Sequence, residues 1–343
     1  MKVKAFEMIK GDDMHCHLRI GVVLKSVVDF TSKYWGRAII MPNTTPKAVL
    51  TADIASAYRN AIKIACHDNF EPLMTIQIND KTTPAMIAEA KKAGVVAGKV
   101  YPKGVTTNSE NGVIDLKSLY PVFEAMQEQD ILLLLHGEMP GENVFCLDRE
   151  EIFLKELIDL NKRLCNLKIV LEHITTSAAV ECIRRLGSNV AATITVHHLI
   201  LTLNDVSDGK LHPHNFCMQI AKRPTDRAAL IEAATSGHFR FFYGGDSAPH
   251  LEENKECSEG CAGVFNAPIA LQLLAQIFEE AGKLDRLENF TSKFGAEFYG
   301  LSQNSGIINL VKKDWTVPNS YPCGESKIIP FMAGQTLHWQ VEE

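Results

Sequence analysis

The chain has 343 residues, a formal net charge of −6 and 46% hydrophobic residues, the composition of an ordinary water-soluble globular protein. Its charge sign and lack of a long Lys/Arg run argue against nucleic acid as a partner and favour a small molecule. No apolar stretch is long enough to span a bilayer, the first residues make a poor signal peptide, and nine scattered cysteines fit free thiols in a reducing cytoplasm better than a disulfide framework.

Short apolar runs rich in β-branched residues recur along the chain at 14–18, 37–41, 73–78, 95–101, 131–136, 168–173, 190–196 and 239–244. Between most of them, at 51–66, 83–94, 116–130 and 176–187 for example, apolar residues repeat every three or four positions, which predicts amphipathic helices. Ser/Thr caps and terminal glycines punctuate several of these. Eight buried-type strands alternating with helices predict βα units on a parallel sheet, and eight is the number that closes a (β/α)8 TIM-type barrel. An open doubly wound sheet is the competing architecture, but no G-x-G-x-x-G follows the first strand. No linker or low-complexity tract divides the chain, so residues 1–343 read as one domain: a barrel over about 12–300 and an irregular, β-like C-terminal extension over about 301–343.

In a barrel, all strand ends of one polarity meet at the mouth that houses active sites. The first predicted strand carries His15 and His17, with Arg19 just beyond, and Asn43 follows the second. Lys99, His136 and His173 stand on the fourth, fifth and sixth strands, and Asp246 follows the eighth. Residues i and i+2 of a strand share a face, so both imidazoles of the H-x-H pair can point inward. Four histidines and one aspartate converging on one mouth make a zinc-type ligand set. Lys99 has two readings. As an ammonium it has no lone pair to give a metal and would pair with Asp246 or a substrate anion, which the residues alone favour. As a carbamate, its two oxygens could bridge two cations. The Gly-, Asn-, Ser- and Thr-rich stretch 102–112 reads as a loop, either a plain surface connection or a lid. His197 and His198 read as structural, the HPH at 212–214 as a loop, and Cys257 and Cys261 as free thiols without a completing ligand pair.

The stretches DDMHCHLR (12–19), MPN (41–43), GKVYP (98–102), LLLHGE (133–138), EHITT (172–176) and GGDSAPH (244–250) resemble the motifs of the dihydroorotases. TTNSENG (106–112) and GCAGVFNAP (260–268) do so as well, and FMAGQT (331–336) more faintly. The closer likeness is to the short bacterial class of that family, within the amidohydrolase superfamily. The resemblance implies a (β/α)8 barrel that interconverts N-carbamoyl-L-aspartate and L-dihydroorotate in pyrimidine biosynthesis, in a cytoplasmic homodimer. It implies two zinc ions: His15, His17 and Asp246 on one, His136 and His173 on the other, and an N6-carboxylated Lys99 bridging both, which reverses the residue-level preference for that lysine. It also implies Asp246 as the catalytic proton carrier, and Arg19, Asn43 and His250 on the substrate carboxylate. Met218 and Ala262 would contact the ring through the backbone, and Thr106 and Thr107 would sit in a mobile loop. Three positions depart from the pattern: Cys16 where Leu is frequent, Gly245 where Thr is common, and 209–216, which lacks an arginine that some relatives carry. The alternatives are another cyclic-amide hydrolase of the superfamily, of hydantoinase or allantoinase type, and a silent barrel serving as a partner subunit.

Overall fold

The computed structural model describes residues 4–105, 109 and 112–342. In chain order its strands are β1 (Ala5–Ile9), β2 (Gly11–Cys16), β3 (Trp35–Ile40), β4 (Glu71–Ile78), β5 (Ala97–Val100), β6 (Leu132–His136), β7 (Ile169–Glu172), β8 (Val190–Ile194), β9 (Phe241–Tyr243), β10 (Ile307–Thr316), β11 (Tyr321–Cys323), β12 (Ser326–Ile328) and β13 (Thr336–Val341). Strands β2 to β9 form one eight-stranded sheet in sequence order, each neighbouring pair parallel. The two ends of that sheet meet at its upper rim. The Asp246 amide donates to the His15 carbonyl at 2.8 Å and the His17 amide to the Ser247 carbonyl at 3.0 Å. The result is the (β/α)8 barrel that the eight apolar runs predict, one strand per run.

The helices begin where local chemistry starts them. Thr51, Thr83 and Thr176 each accept a backbone N–H from the first turn, at Ile54, Met86 and Ala179, and Pro84 opens its helix where no donor is needed. The predicted segment 116–130 becomes a short 3-10 turn, Leu116–Leu119, running into the helix Tyr120–Glu128. The apolar helix faces pack on the outer side of the barrel strands in one continuous core.

A second core fills the barrel itself: Ile39, Ala97, Leu132, Leu134, Val170, Ala191 and Phe242 among others. Its floor is a short helix, Phe294–Tyr299, whose Phe298 and Tyr299 rings pack on Phe242. The period of two then carries the inner face upward from apolar to polar. Ala97 is followed on the same face by Lys99, Leu134 by His136, and Val170 by Glu172.

The stretch from 301 holds more order than its composition suggests. β10 pairs antiparallel with both β1 and β13, so a strand near residue 5 and a strand near residue 340 share one small sheet. Trp339 of β13 is fully buried, and its indole N–H donates to Glu279 on the helix Ala270–Glu280. Nothing local announces β1, because its partner is remote in sequence. All nine cysteines are free thiols, and among the described residues no helix is long and apolar enough to cross a membrane.

Candidate metal centre

The predicted strand-end residues come together. One cavity at the barrel mouth is lined by His15, His17, Arg19, Asn43, His136, His173, Met218, Asp246 and Ala262. Lys99 lies just beneath, wholly buried, and His250 stands behind Arg19. Thr106 and Thr107 lie outside the described residues. A wider cleft opens alongside, near Lys47, Lys81 and Lys103, but the clustered imidazoles and carboxylates belong to the smaller cavity.

His15 Nε2 and His17 Nε2 are 3.1 Å apart, and Asp246 Oδ1 lies 3.3 Å from the first and 3.1 Å from the second. This triangle has a meaning. Two ligand atoms at ~2.0–2.1 Å from a tetrahedral zinc are ~3.3 Å apart, so the three donors already have the spacing of one face of such a site. The His173 ring sits between those of His15 and His136, with centroids 5.0 and 4.9 Å away, and its buried Nδ1 has no hydrogen-bond partner. Carboxylates steady the outer nitrogens. Glu172 Oε1 is 2.9 Å from His15 Nδ1, and Glu138 Oε2 is 2.6 Å from His136 Nε2. Such partners fix the ring orientation and tautomer of a metal-ligating histidine. The residues present therefore fit a metal.

The electrostatics agree with a site built for cations. Burial disfavours charge on His15, but Glu172 and Asp246 outweigh it and raise the imidazole to about 9. Burial pushes His17 down to about 4 and His173 well below its ordinary range. Burial acts upward on Asp246, yet His15 and the hydrogen bonds of His15 and His17 hold its carboxyl well below the usual value. The carboxylate is thus ionised, and two neighbouring imidazoles are neutral with lone pairs available.

Lys99 corrects one expectation. It pairs with Glu172 rather than with Asp246, in a fully buried contact, and its ammonium also lies 4.9 Å from the Tyr101 ring centre. The reason is barrel geometry: alternate strands supply the side chains of one interior layer, and β5 and β7 are alternate strands. Burial lowers the Lys99 ammonium while Glu172 opposes the shift.

On the other side of the cavity, Arg19 donates to His250 Nε2 at 2.9 Å and to the Pro249 carbonyl at 3.2 Å. Arg19, His173 and Asp246 all have positive φ (58°, 44° and 43°). That backbone costs a non-glycine residue roughly 1–2 kcal/mol, and such strain gathers at functional positions. The Gly245 departure has a local cause. A side chain there would run into the Tyr243 hydroxyl and come within 2.7 Å of Asp13 Oδ2. Asp13 is buried and accepts from the amides of Gly245 and His15, tying the aspartate loop to the H-x-H strand.

His197, His198 and Cys217 form a second buried group of metal-ligand types. His198 is engaged at both nitrogens, by Thr195 Oγ1 and the Gln219 carbonyl, each at 2.9 Å, and Asn266 holds His197 Nδ1 at 3.0 Å. That bonding uses both ring nitrogens of His198, whereas His197 Nε2 is buried with no hydrogen-bond partner among the described residues. Glu150 carries more than its sequence context suggests. Fully buried on the helix Arg149–Arg163, it accepts from the amides and hydroxyls of Thr175 and Thr176, at 2.5 to 2.9 Å, and so pins the loop that bears His173. Glu150→Ala leaves two backbone amides unpaired, at about 1–3 kcal/mol each. The Tm of the holoprotein in a thermal melt is expected to fall by several degrees, with a smaller fall for Glu150→Gln; an unchanged Tm in both would remove this role.

The chain is 50% identical over 336 residues to a dihydroorotase of Shewanella denitrificans, an alignment that covers 97% of each. The chain belongs to the dihydroorotase family. Solved dihydroorotases superpose closely on it: one from Campylobacter jejuni with TM-score 0.92 at 39% identity, covering 100% of this chain and 99% of that one. One from Saccharomyces cerevisiae, in complex with 5-fluoroorotic acid, has TM-score 0.94 at 37% identity and covers 99% of both chains. No family model matches the chain. A D-hydantoinase aligns with TM-score 0.78 at 14% identity, covering 98% of this chain and 83% of that one, which is a likeness of fold alone. As a dihydroorotase, the protein is a cyclic amidohydrolase of pyrimidine biosynthesis, and the hydantoinase-type alternative is not favoured.

Proposed function

We propose that this dihydroorotase cyclises N-carbamoyl-L-aspartate to L-dihydroorotate, reversibly, at a two-zinc centre held by the mouth residues. His15, His17 and Asp246 would hold one zinc and His136 and His173 the other, with Lys99 as an N6-carbamate bridging both. The observation that carries this is the triangle of His15 Nε2, His17 Nε2 and Asp246 Oδ1, with edges of 3.1 to 3.3 Å. When bound, zinc would supply Lewis acidity and make a water molecule far more acidic than in bulk, with a pKa of about 7.

The chain's own residues do the rest. Asp246, held ionised, takes at a carboxylate oxygen a proton from the water that adds to the ring amide carbonyl and returns it to the ring nitrogen as the C–N bond breaks; in the closing direction the same oxygen works in reverse. Arg19 offers a planar pair of N–H donors to the substrate carboxylate, with Asn43 and His250 beside it. Met218 and Ala262 present backbone groups to the ring. The yeast relative's complex with 5-fluoroorotic acid supports a pyrimidine carboxylate as the kind of ligand this mouth takes. A cytoplasmic homodimer of single-domain chains completes the reading.

Chelation tests it. Metal-stripped protein is expected to turn over neither carbamoyl aspartate, hydantoin nor allantoin. Zinc is expected to restore turnover of carbamoyl aspartate alone, saturating at two per subunit. Full activity without metal, saturation at one zinc, or comparable hydantoin turnover would overturn the assignment.

A further inference from the structure

The mouth holds a second buried lysine. Lys255 is 3% exposed and ends the short helix Glu252–Lys255. Its Nζ donates to the carbonyls of Phe216 at 2.9 Å, Cys261 at 2.9 Å and Gly263 at 2.6 Å. An ammonium has three donors, and all three are used on backbone oxygens. Among the described residues it makes no ion pair with a carboxylate. Burial lowers it to about 8, while three carbonyl acceptors match the three donors of the charged form. Burying a charge without a counter-charge is costly, and here the three carbonyl dipoles compensate.

What those carbonyls belong to gives the lysine its meaning. Cys261 and Gly263 flank Ala262 on both sides, and Phe216 stands two residues before Met218. Ala262 and Met218 both line the cavity. The Phe216 carbonyl also accepts the Gly263 amide at 2.9 Å, so the two segments are joined directly and again through the ammonium. Gly263 has no slack: at φ 152° a Cβ would come within 2.6 Å of the Ala248 carbonyl and 2.9 Å of the His250 ring.

We infer that Lys255 is a positioning residue for substrate binding, its ammonium acting as a built-in cation that locks segments 216–218 and 261–263 in the register that presents Met218 and Ala262 to the ring. This rests on the reading above that those two residues meet substrate through the backbone. Contacts of that kind are made in ground state and transition state alike, so their loss raises KM more than it lowers kcat.

The experiment uses zinc-loaded holoenzyme of Lys255→Met, which removes every donor, and Lys255→Gln, whose amide keeps two. KM for carbamoyl aspartate is expected to rise by about tenfold or more in Lys255→Met and by less in Lys255→Gln, with kcat held within about threefold. Backbone hydrogen exchange is expected to quicken at both segments in the same order. If Lys255→Met does not fold, Lys255→Gln against wild type carries the comparison. A merely structural role would reduce the amount of active enzyme and leave the KM of the remainder unchanged; that result, or unchanged exchange at both segments, overturns the inference. Dihydroorotate added to wild-type holoenzyme tests the underlying reading by itself, since it should slow exchange at these segments. If it does not, and the variants show faster exchange with unchanged KM, the substrate assignment of Met218 and Ala262 falls, and the inference with it.

Discussion

His17→Ala is expected to lose bound metal and activity together. The variant removes one corner of the 3.1 Å triangle and leaves Asp246 with a single imidazole partner. It thereby costs the zinc contribution and the acid–base carrier in one step, so kcat/KM for carbamoyl aspartate should fall by roughly four orders of magnitude or more. Zinc content and kcat/KM, measured on the same preparation, check this. Full activity in His17→Ala would remove His17 from the ligand set. The neighbouring position makes the control. Cys16 is buried with its thiol 3.6 Å from Thr31 Oγ1, facing away from the cavity, so Cys16→Ala should keep its zinc.

Lys99→Met is the second large effect, and it separates the two chemistries open to that side chain. If Lys99 is a carbamate, the variant loses the bridge: zinc binding weakens and activity falls by about three orders of magnitude, a loss on the scale of removing a metal-held group. Wild-type enzyme equilibrated with 13C-bicarbonate should then show a carbamate carbon resonance that the variant lacks. If instead Lys99 remains the ammonium paired with Glu172, the dominant loss is stability. Removing one partner of a fully buried ion pair costs about 3–5 kcal/mol, which a thermal melt would register while two zinc ions stay bound. Wild-type activity in Lys99→Met, with no carbamate signal, would sink the bridged centre.

The barrel was legible because its signal is local and repeated. Each apolar run is a buried strand, and three of the four helical patterns, at 51–66, 83–94 and 176–187, carry a threonine cap as well as an apolar stripe. The ligand candidates were legible for a related reason: His136 continues an inner face that Leu132 and Leu134 had already marked. Elsewhere locality failed. β1 is five residues whose only pairing partner among the described residues is β10, so periodicity has nothing to read there. Glu172 precedes His173 in the EHITT stretch, yet its attachment to Lys99 is set by which barrel strands share a layer, a property of the closed ring. Glu150 and Lys255 stand in no motif of the sequence: one is an acidic residue in the first turn of a helix, the other a lysine at the end of a short one. Burial set their roles, and no local pattern encodes burial at a helix end. The positive φ of His173 and Asp246 is likewise imposed by the structure around them.

The small sheet that joins β1 to β10 and β13 has a consequence for the order in which the molecule can be finished. As the chain leaves the ribosome, β1 is made early, and Val311, the residue that will face Ala5, is made about 300 residues later. The whole barrel can assemble in that interval while β1 lacks its pairing strand. Its exposed edge must wait through the slowest and most aggregation-prone stage of synthesis. A five-residue strand carrying Glu7 and followed by Lys10 is well suited to that wait, since short edges with nearby charge pair poorly with other chains.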